Sequence, residues 1–276
     1  MALTTAQLVT QLYVGFYNRA PDPEGLNYWI GRVNAGVSLA DIANSFAASP
    51  EAISTYPYLA LPNVVSPESF LNSIYMNLFG RAIDTGAGSG LEYYSAMLAS
   101  GVRPGEVLAK IQLNANTNEG TADQAYLANK VAVGLDWAEA AANTQGFVYN
   151  DAAAGSANAI LSGVTDDPST VTAAEAQIDL FFNTFGLPTF DLTVGTDTLV
   201  GTTNDDVFSA KLGLNPTDLT PVQTLQFVDT ITGGAGNDTL IAELLNNAAG
   251  LVGPTLNGVE NIQLTAYAGA QLSLQR

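Results

Sequence analysis

Residues Thr230 to Ile241 read TITGGAGNDTLI, which places three glycines and one carboxylate within six residues between two apolar runs. Glycine loses more backbone freedom on folding than any other residue, so three in one turn call for a conformation, or a close approach, that a side chain would block. From Gly233 the stretch follows the pattern G-G-x-G-x-D-x-U-x, with U a large apolar residue, through Gly233, Gly234, Gly236, Asp238 and Leu240. The nine-residue spacing recurs. Asp229-Thr230-Ile231 stands nine before Asp238-Thr239-Leu240, and upstream Asp197-Thr198-Leu199 stands nine before Asp206-Val207-Phe208. In the upstream pair Gly201 is kept, while Thr202 and Asn204 take the next two glycine places. Asn204 is expected to stand in there, because Asn tolerates left-handed backbone angles better than most residues.

A nonapeptide of this form is the repeat of calcium-binding parallel β-rolls. Each six-residue turn bends the chain and aims carbonyls inward, and the short strand after it buries its apolar residue between layers. Ca2+ takes six to eight hard oxygen ligands at roughly 2.3–2.6 Å, a demand that carboxylates and carbonyls meet together. The expected ligands are the carboxylates of Asp197, Asp206, Asp229 and Asp238, side-chain oxygens of Asn204 and Asp205, and the backbone of Gly233, Gly234, Ala235 and Gly236. On this reading, aspartates nine residues apart direct their oxygens at a shared ion between stacked coils. A plain Gly/Asp-rich hairpin would also use an Asn-Asp turn, and it is the period that separates the two.

Whole-chain chemistry narrows the remainder. The 276 residues contain no Cys and no His, which excludes disulfides, the usual zinc sites and any Ser-His or Cys-His catalytic pair. A net charge of −18 with eight Lys plus Arg disfavours nucleic acid and favours cations as partners. Residues 1–190 carry 17 acids and 6 bases and residues 191–276 carry 9 and 2, so acidity is not confined to the repeat region. No apolar run is long enough to span a membrane as a helix. The start MALTTAQLVTQLYVGFYNRAP has neither the basic region nor the cleavage site of a secretory signal peptide.

Residues 1–188 read as helices. Leu8, Leu12, Tyr13, Phe16 and Tyr17 recur at helical spacing behind Thr4 or Thr5 as cap, and Asp22-Pro23 opens a second helix whose stripe is Leu26, Trp29, Ile30 and Val33. The unit is duplicated over about 5–60 and 67–122. Tyr13/Tyr75, Arg19/Arg81 and Asp22/Asp84 are 62 apart, and Gly25/Gly90, Trp29/Tyr94, Gly36/Gly101, Ile42/Val107 and Phe46/Ile111 are 65 apart. Helices are also expected around 123–142, 152–161 and 171–185. Past Leu187-Pro188, VENIQLTA and AQLSL alternate as strands. The fold class is therefore α+β with segregated domains: an all-α repeat domain over 1–188, then the start of a calcium-binding parallel β-roll or β-helix over 189–276. The last strands lack a polar cap, from which a longer natural chain is expected.

These residues together resemble the Caulobacter-type S-layer proteins and related calcium-dependent secreted proteins of the repeats-in-toxin (RTX) class. TTAQLVT resembles the N-terminus of those S-layer proteins. The blocks built on YxxFxGRxxD and GLxYW resemble a phycobilisome-linker-like helical repeat, and GTDTLVGTTNDDVF, DTITGGAGNDTL and LNGVENIQLTA resemble the start of their β-roll. The second block departs from the first, with Ile83 and Thr85 where the first has Pro21 and Pro23. The resemblance implies secretion by a type I route without an N-terminal signal peptide, an extracellular place in a cell-surface S-layer, self-association into a lattice in the full-length protein, and anchoring of the coat to lipopolysaccharide O-antigen by the helical domain. Alternatives are a calcium-dependent adhesin for a protein or glycan, and a carboxylate-based polysaccharide-modifying enzyme using Asp22/Glu24 or Asp166/Asp167. Those acids serve equally as helix caps and loop acids, so no catalytic role is expected. Tyr28, Trp29, Tyr93 and Tyr94 sit on apolar stripes and are assigned to the core, and Arg19 and Arg81 are expected to hold Asp22 and Asp84 of their own repeats. No residue is assigned to glycan.

Overall fold

The structure is a computed structural model that describes residues 3–60, 65–118, 120–144, 147–215, 217–245 and 253–267. It divides into two compact units, Met1–Asn183 and Thr184–Arg276, with helices in the first and strands in the second.

The first repeat builds α1 (Thr5–Tyr17), α2 (Pro23–Asn34), α3 (Leu39–Ala47) and the short α4 (Pro50–Thr55). Thr4 closes a capping box with Gln7 at the start of α1, and Asp22 caps α2 by accepting the Gly25 N–H at 2.6 Å. The second repeat builds α5 (Glu68–Phe79), α6 (Gly90–Ala99) and α7 (Pro104–Thr117). Asp84 accepts the Gly90 N–H at 2.7 Å, as Asp22 accepts that of Gly25. Both first helices end on a left-handed residue, Asn18 (φ 48) in one copy and Gly80 (φ 66) in the other, as an αL cap requires. The long α8 (Ala122–Asn143), with α9 (Asp151–Ser162) and α10 (Pro168–Asn183), completes the unit. One core runs through it, including Leu12, Phe16, Phe46, Ile74, Leu108 and Trp137.

The repeat aromatics divide in a way the apolar stripe did not foretell. Trp29 packs against the core and Tyr94 is 4% exposed, but their neighbours Tyr28 and Tyr93 are 57% and 51% exposed. Each helix buries only one of two adjacent rings, because successive residues point about 100° apart around a helix. The arginines also differ from expectation. Arg19 forms a two-point ion pair with Glu51 and Arg81 with Asp123, leaving Asp22 to cap α2 and Asp84 to accept the Gly90 N–H. Lys130 on α8 is 2% exposed and donates to Asn18 Oδ1 at 2.8 Å, with its ammonium 5.2 Å from the Tyr126 ring centre.

In the second unit, β1 (Thr189–Asp191), β2 (Thr198–Val200) and β3 (Val207–Ala210) are followed by a small antiparallel hairpin, β4 (Gly213–Leu214) and β5 (Pro221–Val222). Then come β6 (Thr230–Thr232), β7 (Thr239–Leu244), β8 (Thr255–Asn257) and β9 (Asn261–Ala266). Apart from the hairpin, successive strands alternate between two parallel sheets, ordered β1-β3-β7-β9 and β2-β6-β8. Two strands and two turns make one coil. Thr189 pairs with Val207, 18 positions on, whereas the hairpin lengthens the next step to Val207 with Thr239. Phe208, Ile231, Leu240 and Leu256 fill the space inside the coils. Of VENIQLTA, Asn261–Ala266 forms β9, while AQLSL lies outside the described residues.

Two consequences are open to measurement. A Cβ on Gly105, at the α3–α7 crossing, would overlap Asn44 N and the Ala43 carbonyl carbon; Gly105→Ala should cost about 1–3 kcal/mol in denaturant unfolding, as overpacking does. Burial pulls the Lys130 ammonium down to about 8 from its ordinary 10.5. The folded state then holds fewer protons than the unfolded one between those values, so Lys130 destabilises most below pH 8 and stability rises with pH through that window, by at most about 1.4 kcal/mol per unit. Lys130→Met should abolish that rise in unfolding curves taken from neutral pH up to the onset of tyrosine ionisation.

Candidate calcium site

The turns stack into two edges, one on each side of the roll. On one edge Gly201–Asp206 leads into β3, Gly233–Asp238 into β7 and Gly258–Glu260 into β9; on the other, Thr193–Asp197 leads into β2 and Gln226–Asp229 into β6. Aspartates nine residues apart therefore lie on opposite edges, which corrects the expectation that they share an ion. The strand between them crosses from one edge to the other. What the structure brings together are residues of successive coils: Asp197 N–H donates to Asp229 Oδ1 at 2.9 Å and Asp206 N–H to Asp238 Oδ1 at 2.9 Å, each 32 residues on. The ladder continues with Asp238 N–H donating to Glu260 Oε2 at 2.8 Å.

All four aspartates are buried, Asp197 at 8% exposure and Asp206, Asp229 and Asp238 at 0%. Three carboxylates also close their own turns. Asp197 accepts Thr193 N–H at 2.7 Å, Asp206 accepts Thr202 N–H and hydroxyl, and Asp229 accepts Gln226 N–H at 2.6 Å. Asp238 differs: its Oδ2 is buried with no hydrogen-bond partner. Burial pushes the Asp229 and Asp238 carboxyls upward, and at Asp238 the charges of Asp206, Glu260 and Asp205 add to the rise.

The glycines answer for their cost here. A Cβ on Gly233 would overlap both Gly258 O and Asp238 Oδ2, and one on Gly201 would overlap Gly233 O and press on Asp206 Oδ2. At each of these two places a carbonyl of one turn and a carboxylate oxygen of the other converge over a bare Cα. Gly234 (φ 112) and Gly236 (φ 125) add left-handed backbone that lets their turn lie flat on Thr202 and Asn204. Asn204 does not copy this. Among the described residues only Asn18 and Leu219 are non-glycine with positive φ, so the upstream turn reaches its shape by another route. Its Thr202 hydroxyl bonds Asp206, and the hydroxyl in turn accepts Asn204 N–H at 3.1 Å. Asn204, Asp205 and Ala235 lie exposed at the outer rim, where Asp205 Oδ1 accepts Asn237 N–H at 2.8 Å.

These donors fit Ca2+. Among the described residues no three Asp, Glu, His or Cys side chains converge closely enough to hold a metal by themselves, so an ion on this edge would take its further ligands from turn carbonyls, which a hard cation accepts. Asp238 Oδ2 is the buried oxygen with no other use. Glu260, which sequence reasoning left out, takes the place of the aspartate in the third coil. The signal was present, since Glu260-Asn261-Ile262 repeats the acid-x-apolar order of Asp238-Thr239-Leu240, but at a spacing of 22 instead of nine.

The comparisons with known proteins agree with this geometry. The RTX calcium-binding nonapeptide repeat matches residues 226–247, and such repeats bind Ca2+. A domain of unknown function, DUF4214, matches residues 1–56. The chain is 28% identical over 184 residues to a protein named S-layer protein from Synechocystis sp. (strain ATCC 27184 / PCC 6803 / Kazusa), a match that covers 64% of this chain and 10% of that protein. No solved structure matches.

Calcium should raise the melting temperature of the second unit's transition, and a chelator should reverse the rise; at a hundredfold excess over the dissociation constant one site adds about 2.7 kcal/mol. Asp238→Asn, read by calorimetric titration, should weaken binding about tenfold or more while keeping its acceptor for Asp206 N–H. Gly233→Ala should remove the transition altogether. Unchanged calcium affinity in Asp238→Asn would show that the ion sits elsewhere.

Proposed function

We propose that this chain is a segment of a structural, calcium-dependent surface-layer protein that leaves the cell by a type I route, whose helical unit anchors the coat to lipopolysaccharide O-antigen and whose β-roll is rigidified by Ca2+. The observation that carries the calcium part is the stacked edge of Asp206, Asp238 and Glu260 with one buried carboxylate oxygen unpartnered. The likeness to a protein named S-layer protein supports the coat. That likeness spans a tenth of the relative, so lattice self-association and anchoring are read for the whole protein from this part of it. Composition is consistent with export before folding: no cysteine is present to cross-link the chain, and a net −18 opposes compaction until a cation is supplied. A structural role is preferred to a catalytic one because the two acids paired most closely in sequence with a cleft, Asp22 and Glu24, include one already committed to capping α2.

Rebinding of the purified chain to lipopolysaccharide-coated beads, with and without O-antigen, tests the anchoring. Retention only on beads carrying O-antigen is the expected result. Equal retention on both, or on neither, would overturn it.

A further inference from the structure

The duplicated arginines make the same bonds save one. In the first copy Arg19 gives Nε and Nη2 to Glu51, at 3.1 Å each, and Nη1 to Ala20 O at 3.1 Å. Its Nη1 also donates to the hydroxyl of Tyr149 at 3.0 Å, and that ring lies 5.4 Å from the guanidinium. In the second copy Arg81 gives Nε and Nη2 to Asp123, at 2.8 and 2.6 Å, and Nη1 to Ala82 O at 3.1 Å. The rings beneath also correspond, Tyr13 and Tyr17 under Arg19 and Tyr75 and Phe79 under Arg81. Nothing among the described residues stands where Tyr149 would. Arg19 is accordingly sealed, its side chain 11% exposed, and Arg81 is open at 46%. Arg81 faces a cleft of about 230 Å³ lined also by Asn114, Asn118, Thr121 and Asp123.

We propose that this cleft is a binding site for one neutral sugar ring, which takes in the second copy the place that Tyr149 fills in the first. The proposal rests on the reading of the helical unit as glycan-binding and names its site. Tyr149 shows what the place accepts: an oxygen at hydrogen-bond distance from Nη1 and a flat, weakly polar face against the guanidinium. An anion is disfavoured, because Asp123 already neutralises Arg81 through two short bonds. The other groups on the rim exceed what one phenol needs. Asn114, which lines the cleft, gives its N–H to Tyr94 OH at 2.9 Å, and the exposed Asn118 side chain adds an amide donor and acceptor. Sugar hydroxyls each donate and accept, so a site with both functions around an Arg–carboxylate pair suits them. At 230 Å³ the cleft is below the roughly 300–1,000 Å³ of pockets for larger ligands and is of single-ring size.

The test uses the full 276-residue chain with calcium and saturation-transfer NMR, with the methyl glycosides of mannose, galactose and N-acetylglucosamine as probes and p-cresol as a surrogate for the Tyr149 side chain. Transfer to at least one glycoside is expected. Arg81→Gln and Asn118→Ala should each weaken it, Arg81→Gln by about tenfold or more, as loss of a charged hydrogen bond does. Tyr149→Phe, which touches only the first copy, should leave it unchanged. Asn118→Ala alters an exposed side chain and keeps the test informative should Arg81→Gln fail to fold. No transfer to any glycoside, or transfer indifferent to both cleft variants, overturns the proposal. Transfer to p-cresol alone also overturns it, assigning the cleft to a tyrosine of a protein partner. Retention on O-antigen that ignores Asn118→Ala removes the cleft but leaves the anchoring reading, whereas glycoside binding without retention does the reverse.

Discussion

Coil stacking forces like charges together. Asp206, Asp238 and Glu260 stand one above another because each sits at the mouth of a strand that must pair in parallel register with the next. The backbone N–H of one acid can satisfy a single oxygen of the next, and the ladder does this. It leaves one buried oxygen of Asp238 unpartnered and uncompensated charge on the same edge. A buried carboxylate without a counterion is expensive, and no Lys, Arg or His takes part in these ladder bonds. A divalent cation held by the free carboxylate oxygen and the carbonyls beside it would remove the repulsion, and filling the site would then favour stacking of the coils. The bare Cα positions at Gly201 and Gly233 are part of the same constraint, for a methyl group there would occupy the space where the oxygens converge.

The helical unit uses duplication differently. Both copies keep the αL exit from the first helix, an aspartate that accepts the N–H of a glycine in the first turn of the second, and an arginine clamped to a carboxylate. The carboxylates come from non-equivalent places, Glu51 on α4 and Asp123 on α8, so the arginine's geometry is preserved while its surroundings diverge. Around Arg19 the later segment carrying Tyr149 closes the site; around Arg81 the cleft remains. At Asn18, whose equivalent is Gly80, the side chain supplies the acceptor for the buried Lys130. One copy thus serves packing, and the other keeps a polar recess.

Much of this was legible in the sequence because it depends on local chemistry. Periodicity and caps placed the helices, since Thr4 and Asp22 satisfy N–H groups only a few residues away. The nonapeptide placed the turns and identified Ca2+, since a glycine-rich turn followed by acid-x-apolar needs only nine residues to be recognised. The internal repeat needed only the chain compared with itself.

What the sequence by itself determined is therefore the kind of structure: helical repeats, then a parallel roll with oxygen-rich turns. Which residues meet was decided by the tertiary structure alone. The hairpin inserted between β3 and β6 moves the partner of Asp206 to Asp238, and a third step of 22 residues instead of 18 brings in Glu260, because strand pairing measures register across the sheet and not distance along the chain. The same reason explains Arg19 with Glu51, Arg81 with Asp123, and the exposure of Tyr28 and Tyr93. Long side chains and stacked turns choose partners by position in space, and that position is set by the packing of the whole unit.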